Sequence, residues 1–287
     1  MMIAGNLLEL LACPNCQNSL DEFGTELSCT RCNIRIPIID NIPRFHGTSQ
    51  KKIIKFDEAA IRSPANWTGW RRRNYDFFLE RLEGVEESSV VLDVGAGTSP
   101  FAALFRTFTS FRVDFEPYQG IDFLTDLNRP LPVPDRAFDV VVMSNLLEHI
   151  FEPLTLMTEC HRILKRGGNM IMTVPFLIKV HQGPYDFLRY TEHMLKRLLT
   201  QSGFQEFEIT KIGNIFDVYA QISSSVYKLI SRKMSGHVLK RKGMGFLRRL
   251  HRLLFSAMLQ VSGCDEKNKE DSIGYPHGYG VLAVKKE

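Results

Sequence analysis

Four of the six cysteines lie in two Cys-x-x-Cys pairs near the start of the chain. Cys13 and Cys16 form the first pair, Cys29 and Cys32 form the second, and 12 residues separate the pairs. Each pair offers two thiolates from one tight turn, and a hairpin between them would bring four sulfurs around a tetrahedral Zn²⁺. Four thiolates fill that coordination shell, so the pattern predicts a structural zinc ion. Free thiols and a redox pair are the alternatives.

A second candidate site follows the apolar, β-branched run Val90–Val94. The turn after this run consists of Gly95, Ala96 and Gly97. Glycine at such a turn lets the backbone approach a ligand closely. Pro100 stands where a dinucleotide-binding fingerprint needs its third glycine, which disfavours a nicotinamide or flavin cofactor. Ser99 and Pro100 also predict that a helix begins here.

Several acidic residues lie just before this turn or near the ends of the strands that follow it in the sequence. Asp93 lies two residues before Gly95, and an acidic residue at this point suits a cofactor without a pyrophosphate. Asp114 ends the second predicted strand, about twenty residues later, where a carboxylate can accept both hydroxyls of a ribose, and Glu116 is the reserve. Phe115 would cover an adenine, and Asp126 could accept a hydrogen bond from its amino group. This set of residues indicates a ligand that contains a nucleoside.

The third candidate site is a loop that follows a predicted strand. Within ten residues it contains a histidine, an aspartate, an arginine and two tyrosines: His181, Tyr185, Asp186, Arg189 and Tyr190. Doubly wound enzymes bind substrates at the carboxyl ends of their strands, where this loop begins. We predict that His181 acts as a general base and that the others orient a substrate. Hydrogen bonds that fix the loop to the sheet are the alternative, and His149 is expected to be structural.

The elements that position these residues alternate between strand and helix. Strands are predicted at 90–94, 111–115, 138–143, 170–174, 204–212 and 279–284, and helices at 67–82, 153–164 and 191–201. Residues 165–168 are expected to close a helix, and residues 34–39, which contain Pro37, to form an edge strand. The alternation predicts a doubly wound α/β sheet.

Composition is that of a globular protein. The 287 residues are 44% hydrophobic and 24% charged, which excludes disordered and fibrous classes. The net charge of +4 permits an anionic partner without requiring one. We find no signal peptide and no run of the length that spans a membrane, so a cytoplasmic location is expected. The predicted organisation is a zinc-ribbon module at 1–46, a linker at 47–66, and a larger domain at 67–287 with a helical insertion at about 214–272.

An ordered series of motifs resembles the class I S-adenosylmethionine (SAM)-dependent methyltransferases over residues 88–213. The motifs are Leu92–Gly97, Val113-Asp114, Asp126, Phe138–Val141, Leu147-Glu148-His149 and Leu164–Gly168. The small-molecule branch related to quinone-pathway enzymes is the most similar. Residues 7–45 resemble the small zinc-ribbon activator subunits of methyltransferases, which implies that the ribbon could bind a protein partner.

This resemblance implies a Rossmann-like sheet of seven strands with the last one antiparallel. Gly95 and Gly97 would pass under the methionine part of SAM, and Asp114 would bind the ribose. Asp126 would bind the adenine together with Leu127. The side chains expected at the end of the fourth strand are Ser144 and Asn145.

The insertion contains apolar residues at helical spacing. One set is Ile215, Val218, Tyr219, Ile222, Val226 and Leu229, and a second set runs from Phe246 to Met258 opposite Arg248, Arg249 and Arg252. A basic amphipathic helix near 237–261 would suit peripheral contact with an anionic membrane, or a lid over the substrate.

The implied activity is methyl transfer from SAM to a small-molecule or lipid-linked acceptor. The alternatives are an RNA methyltransferase and a SAM-binding scaffold without catalysis. Binding of nucleic acid is less favoured, because acidic residues balance the arginines of the predicted ribbon.

Overall fold

The structure is a computed structural model that describes residues 5–47, 51–233, 243, 245–247, 249–251, 253–257 and 274–286. The chain forms two compact units, one through Thr210 together with the segment from Tyr279, the other from Lys211 to Gly278. The second unit contains helix α6 (Ile215–Lys233) and helical residues at 245–247, 249–251 and 253–257. Of the predicted basic helix near 237–261, residues 237–242, 244, 248, 252 and 258–261 lie outside the described residues, and Arg248, Arg252 and Met258 are among them.

A small antiparallel sheet follows helix α1 (Gly5–Glu9). Its strands, in spatial as in chain order, are β1 (Asp21–Phe23), β2 (Glu26–Cys29), β3 (Ile34–Ile39) and β4 (Ile42–Pro43). The prediction that residues 34–39 form an edge strand was wrong, because β3 pairs with β2 on one side and with β4 on the other. Pro37 donates no hydrogen bond, but its carbonyl accepts one from the Arg44 N–H at 2.9 Å.

The larger sheet has seven strands. They are β5 (Val90–Val94), β6 (Thr109–Asp114), β7 (Phe123–Leu124), β8 (Phe138–Ser144), β9 (Leu164–Pro175), β10 (Glu206–Ile212) and β11 (Gly278–Val284). The spatial order is β10-β11-β9-β8-β5-β6-β7, and β5 to β9 run parallel. Lys285, after β11, exchanges backbone hydrogen bonds with Gly167 and Gly168 near the start of β9. The last strand is therefore antiparallel, which confirms the predicted fold class.

Helices precede and connect the strands. They are α2 (Glu58–Arg62), α3 (Gly69–Leu82), α4 (Pro153–Ile163) and α5 (Glu192–Gln201). Thr68 and Thr191 cap α3 and α5 through their side-chain oxygens, and Pro153 occupies the first turn of α4. The short helix α2 lies in the predicted linker. Among the described residues, no helix combines the length and apolarity needed to cross a membrane.

Two local predictions were wrong. The glycine turn after β5 leads into a short 3₁₀ helix, Ala102–Phe105, instead of an α-helix. The Ser99 hydroxyl bonds to Asp93 instead of capping a helix, and few residues remain before β6 begins. Residues 165–168 belong to β9 and do not close a helix, because Lys285 pairs with the backbone of Gly167 and Gly168.

The small sheet packs against the β7 edge of the large one within the first unit. Arg44 forms a parallel bridge with Leu124, and the Phe45 N–H donates to the Leu124 carbonyl at 2.8 Å. One continuous apolar cluster includes Leu11 and Leu27 of the N-terminal module and Phe123 of the large sheet. The predicted ribbon therefore shares a core with the sheet that positions the second candidate site.

Candidate functional site

The glycine turn lies at the carboxyl end of β5, between β6 and β8. Gly95 has φ +67° and Gly97 has φ +53°, a left-handed conformation that glycine adopts without strain. A Cβ on Gly95 would overlap the Leu146 side chain, whereas a Cβ on Gly97 would have nothing within 4 Å. The backbone at Gly97 therefore borders open space, which fits close approach by a ligand.

Asp114 ends β6 and points at this turn. Its carboxylate accepts hydrogen bonds from the Gly97 N–H at 2.8 Å and the Glu116 N–H at 2.9 Å. Burial raises the pKa of the Asp114 carboxyl despite these bonds. Each carboxylate oxygen keeps capacity for a further donor, as a ribose diol would need. Glu116, the reserve, forms an ion pair with Lys51 at 2.5 Å instead.

Asp93 supports the turn from beneath. Its carboxylate accepts a hydrogen bond from the Ser99 hydroxyl at 3.0 Å, and Ser99 has a φ of +40°. Burial raises the pKa of Asp93 to about 7, against the opposing effects of Ser99 and Arg112. Asp93 therefore fixes the conformation of the turn, a role that the sequence analysis did not assign to it.

The predicted adenine contacts are partly covered by neighbours. Phe115 is 41% exposed, and one face of its ring stacks on His46 with centroids 4.1 Å apart. The His46 ring is also hydrogen-bonded to the Phe115 carbonyl through Nε2, at 2.8 Å. Asp126 accepts a hydrogen bond from the Asn128 N–H at 3.0 Å, and Leu127 is buried. Sequence analysis missed His46, because 69 residues separate it from Phe115.

The end of β8 completes this edge of the sheet. Asn145 has φ +53°, an uncommon conformation for a residue with a side chain, and such backbone strain is concentrated at functional sites. Its side chain accepts a hydrogen bond from Trp70 Nε1 at 2.9 Å and donates one to the Ser144 hydroxyl at 3.2 Å. Helix α3 therefore fixes the predicted ligand-lining residues through Trp70.

The histidine loop after β9 folds over the turn that follows β8. The backbone N–H groups of Phe187 and Leu188 donate to the Glu148 carbonyl, at 2.9 and 3.2 Å. The Tyr190 hydroxyl donates to the Leu147 carbonyl at 2.8 Å, and its ring is buried. Tyr190 is therefore a structural anchor of the loop.

Within this loop, His181 is held by a partly buried ion pair. Asp186 binds Arg189 through both carboxylate oxygens and accepts a hydrogen bond from the His181 N–H at 2.7 Å. The guanidinium of Arg189 holds the pKa of the Asp186 carboxyl well below its usual range. His181 Nδ1 lies 3.3 Å from the same carboxylate. Asp186 and Arg189 therefore position His181, while the Tyr185 side chain is exposed.

Glu148 and His149 complete the surroundings of His181. Glu148 Oε1 lies 3.6 Å from His149 Nε2 and 3.7 Å from His181 Nε2. Burial raises the pKa of Glu148 to about 8, and it lowers the pKa of His149. The sequence analysis treated His149 as structural and gave Glu148 no role. The adjacent Glu-His pair was visible in the sequence, but its convergence with His181 depends on the fold.

The four N-terminal cysteines converge. Their Sγ atoms all lie within 4.8 Å of one another, and those of Cys16 and Cys29 are 3.6 Å apart. A tetrahedral ion with metal–sulfur bonds of about 2.3 Å places its sulfurs about 3.8 Å apart, so the cluster fits. Both turns have the same form, because Gln17 N–H bonds to the Cys13 carbonyl and Asn33 N–H to the Cys29 carbonyl, each at 2.8 Å.

Comparison with known proteins gives matches over the middle of the chain. Residues 67–208 match a family model described as a methyltransferase domain. A protein of Mycolicibacterium smegmatis named "Probable S-adenosylmethionine-dependent methyltransferase" is 31% identical over 165 residues, covering 52% of this chain and 64% of the relative. The demethylmenaquinone methyltransferase of Bacillus pumilus is 24% identical, covering 57% of this chain and 77% of the relative.

A similar solved structure is the phosphoethanolamine N-methyltransferase 2 of Haemonchus contortus in complex with SAM. It is 16% identical, covers 80% of this chain and 56% of that chain, and gives a TM-score of 0.48. The chain spans 64% of the length of the Mycolicibacterium relative, and its residues 67–208 are similar to methyltransferase domains.

Proposed function

We propose that this protein transfers a methyl group from SAM to a small-molecule or lipid-linked acceptor. The observation that carries the proposal is the buried Asp114 carboxylate, bonded to Gly97 at a turn whose backbone borders open space. The matched methyltransferase domain supports the same reaction class. The name of the Bacillus pumilus relative gives demethylmenaquinone as its acceptor, which supports an acceptor of the quinone type.

The residues of the turn would bind the cofactor, which supplies an activated methyl carbon when bound. Asp114 would accept hydrogen bonds from the ribose hydroxyls, and Gly97 would let the methionine part pass close to the backbone. Phe115 would pack against the adenine with the ring face that His46 leaves free. Asp93 and Ser99 would keep the turn in its binding conformation.

The histidine loop would hold the acceptor. Methyl transfer is an in-line displacement, so the protein's main contribution is to align the nucleophile and exclude water. His181 remains the predicted base, because Asp186 orients its ring and leaves Nε2 turned towards Glu148. The exposed Tyr185 side chain is positioned to contact an acceptor that enters from solvent.

We also propose that the cysteine cluster binds a structural Zn²⁺. The separations of the four sulfurs fit tetrahedral coordination, and four thiolates leave no position for water or substrate. The ion would stabilise a module whose core continues into the large sheet.

Membrane contact by the second unit would suit a lipid-linked acceptor. On α6, Ile222, Val226 and Leu229 share one helical face and are 57%, 47% and 61% exposed. Lys228 and Arg232, on the same helix, are also exposed. An apolar face accompanied by basic side chains favours adsorption to anionic lipid. Sedimentation with phosphatidylglycerol vesicles, but not with phosphatidylcholine vesicles, is the expected result.

The reaction is tested with methyl-labelled SAM and fractionated cell extract. Label is expected in small metabolites or lipids, and label in RNA or protein would overturn the proposed acceptor class. Asp114→Ala should weaken SAM binding at least about 100-fold in calorimetry, because it removes the carboxylate that would accept both ribose hydroxyls. Glu116→Gln is the matched control and should bind SAM as the wild type does. Equal binding by Asp114→Ala would contradict the assigned ribose contact.

A further inference from the structure

We infer that Glu148, His149 and His181 bind a divalent first-row transition metal ion, separate from the ion proposed for the cysteines. One donor atom from each of the three residues lies within 4.8 Å of the others, and Glu148 Oε1 is 3.6 and 3.7 Å from the two Nε2 atoms. The inference rests on the proposed function only in treating this loop as the acceptor site.

The surroundings of Glu148 favour a bound cation. Its side chain is 0% exposed, and neither carboxylate oxygen has a hydrogen-bond partner among the described residues. A buried carboxylate without donors is costly unless a cation compensates it. The guanidinium of Arg189 acts on Glu148 through its charge alone, because its N–H groups form a two-point pair with Asp186.

The orientation of the two imidazoles also favours a bound ion. His149 Nδ1 is hydrogen-bonded to the Tyr185 carbonyl at 2.6 Å, and His181 Nδ1 lies 3.3 Å from the Asp186 carboxylate. Histidines that bind metals generally present their second nitrogen to a carbonyl or a carboxylate, which directs the lone pair of the first nitrogen to the ion. Both Nε2 atoms here are left facing Glu148 Oε1.

The distances between the donor atoms and the charges around them fit such an ion. Bonds of about 2.1 Å at a tetrahedral angle put ligand atoms about 3.4 Å apart, and the two Nε2 atoms lie 3.6 and 3.7 Å from Oε1. Asp186 and Arg189 are paired with each other, so a cation at Oε1 would bind with Glu148 in its ionised form. Two imidazoles and one carboxylate favour ions such as Zn²⁺, Co²⁺ or Fe²⁺ over Mg²⁺ or Ca²⁺.

A bound ion would change the role of His181 without changing the reaction class. Nε2 would be a ligand instead of a base, and three protein ligands leave coordination positions open. An oxygen donor of the acceptor would enter there, and coordination lowers the pKa of a hydroxyl group. The site therefore points to an acceptor that is methylated on oxygen.

The test is metal titration of the full-length protein after removal of metal with a chelator under reducing conditions. Zn²⁺ loading should give about two ions per wild-type chain. Titration with Co²⁺ should show thiolate charge-transfer bands from one ion and the weaker bands of nitrogen and oxygen ligation from the other. One ion per chain, with thiolate bands alone, would overturn the inference.

Substitutions assign the second ion. Glu148→Gln and His181→Gln should each weaken its binding about 100-fold while the thiolate bands remain, which also shows that the variant is folded. His193→Gln, which removes an exposed histidine of α5, is the control and should keep both ions. Wild-type affinity for the second ion in both test variants would exclude this site. If the second ion binds but SAM does not, the proposed function fails and the metal site stands.

Discussion

Asp93 shows how one buried carboxyl connects the glycine turn to the stability of the fold. Ser99, Arg112 and Asp114 are the polar and charged groups that affect it, and burial has the largest effect. In the folded chain its pKa is about 7, above the ordinary value near 4, so the folded state keeps a proton that the unfolded chain releases. The free energy of unfolding should therefore fall as pH rises from about 4 to about 7, and this contribution should be constant above that range.

Asp93→Asn should remove this pH dependence. The amide oxygen can still accept the Ser99 hydrogen bond, but no proton is lost. Relative to the wild type, the variant should gain up to about 4 kcal/mol of stability between pH 4 and pH 8. Urea unfolding without SAM at several pH values measures the difference. Asp76→Asn, which removes an exposed carboxyl of α3, controls for the change in net charge. Parallel pH profiles of Asp93→Asn and the wild type would contradict the assignment.

For individual residues, the sequence indicates which side chains belong to a site better than it indicates which residues they contact. Asp114 and His181 could be chosen because each follows a recognisable strand. The stacking of His46 on Phe115 and the bond from Trp70 to Asn145 could not, because each joins segments about 70 residues apart. Asp93 was predicted as a ligand-binding residue, and its bond to Ser99 depends on a left-handed φ that no local pattern indicates.

Strands were predictable from apolar runs because a parallel strand is buried on both faces. The 3₁₀ helix after the glycine turn was not, since the N-cap pattern of Ser99 and Pro100 is overridden by the tertiary bond to Asp93. Residues 165–168 look like a helix end from their glycines, but the backbone of Gly167 and Gly168 is paired with Lys285, more than 100 residues later.

Substitutions at the two glycines of the turn after β5 should have different effects, one mainly on stability and the other mainly on cofactor binding. Gly95→Ala would place a Cβ against Leu146 in a left-handed backbone, so we expect a loss of about 2–4 kcal/mol in the free energy of unfolding. Gly97→Ala also puts alanine in a left-handed conformation, but the added Cβ has no atom within 4 Å. The free energy of unfolding should therefore fall by only about 1 kcal/mol. The main effect of Gly97→Ala should be weaker SAM binding, because the added methyl group projects where the ligand would lie.

Denaturant unfolding and calorimetric SAM titration of both variants check this prediction. Gly167→Ala, at another left-handed glycine with no atom near its Cβ and remote from the turn, measures the conformational cost alone. If Gly97→Ala binds SAM as Gly167→Ala does, the open space beside Gly97 is not the cofactor site.

For the whole first unit, the decisive feature is a core that continues from the N-terminal module into the large sheet. Sequence analysis predicts the cysteine module as a separate segment joined by a linker. The structure adds that Leu11, Leu27 and Phe123 belong to one apolar cluster and that Phe45 is bonded to Leu124. That continuity could not be predicted, because it depends on which edge of the sheet the module reaches.

Loss of the cysteine-bound ion should therefore destabilise more than the module itself. In the double variant Cys13→Ser with Cys29→Ser, the first unit should unfold in one transition roughly 10 °C below the wild type, since several kcal/mol of metal binding are lost. SAM affinity should also fall. His46 follows the last strand of the module and stacks on Phe115, the residue proposed to pack against the adenine. Asn15→Ser, an exposed substitution in the same turn, is the control. Calorimetric unfolding with and without added Zn²⁺ measures the effect. A sheet that melts at the wild-type temperature while only the module loosens would show that the shared core does not couple them.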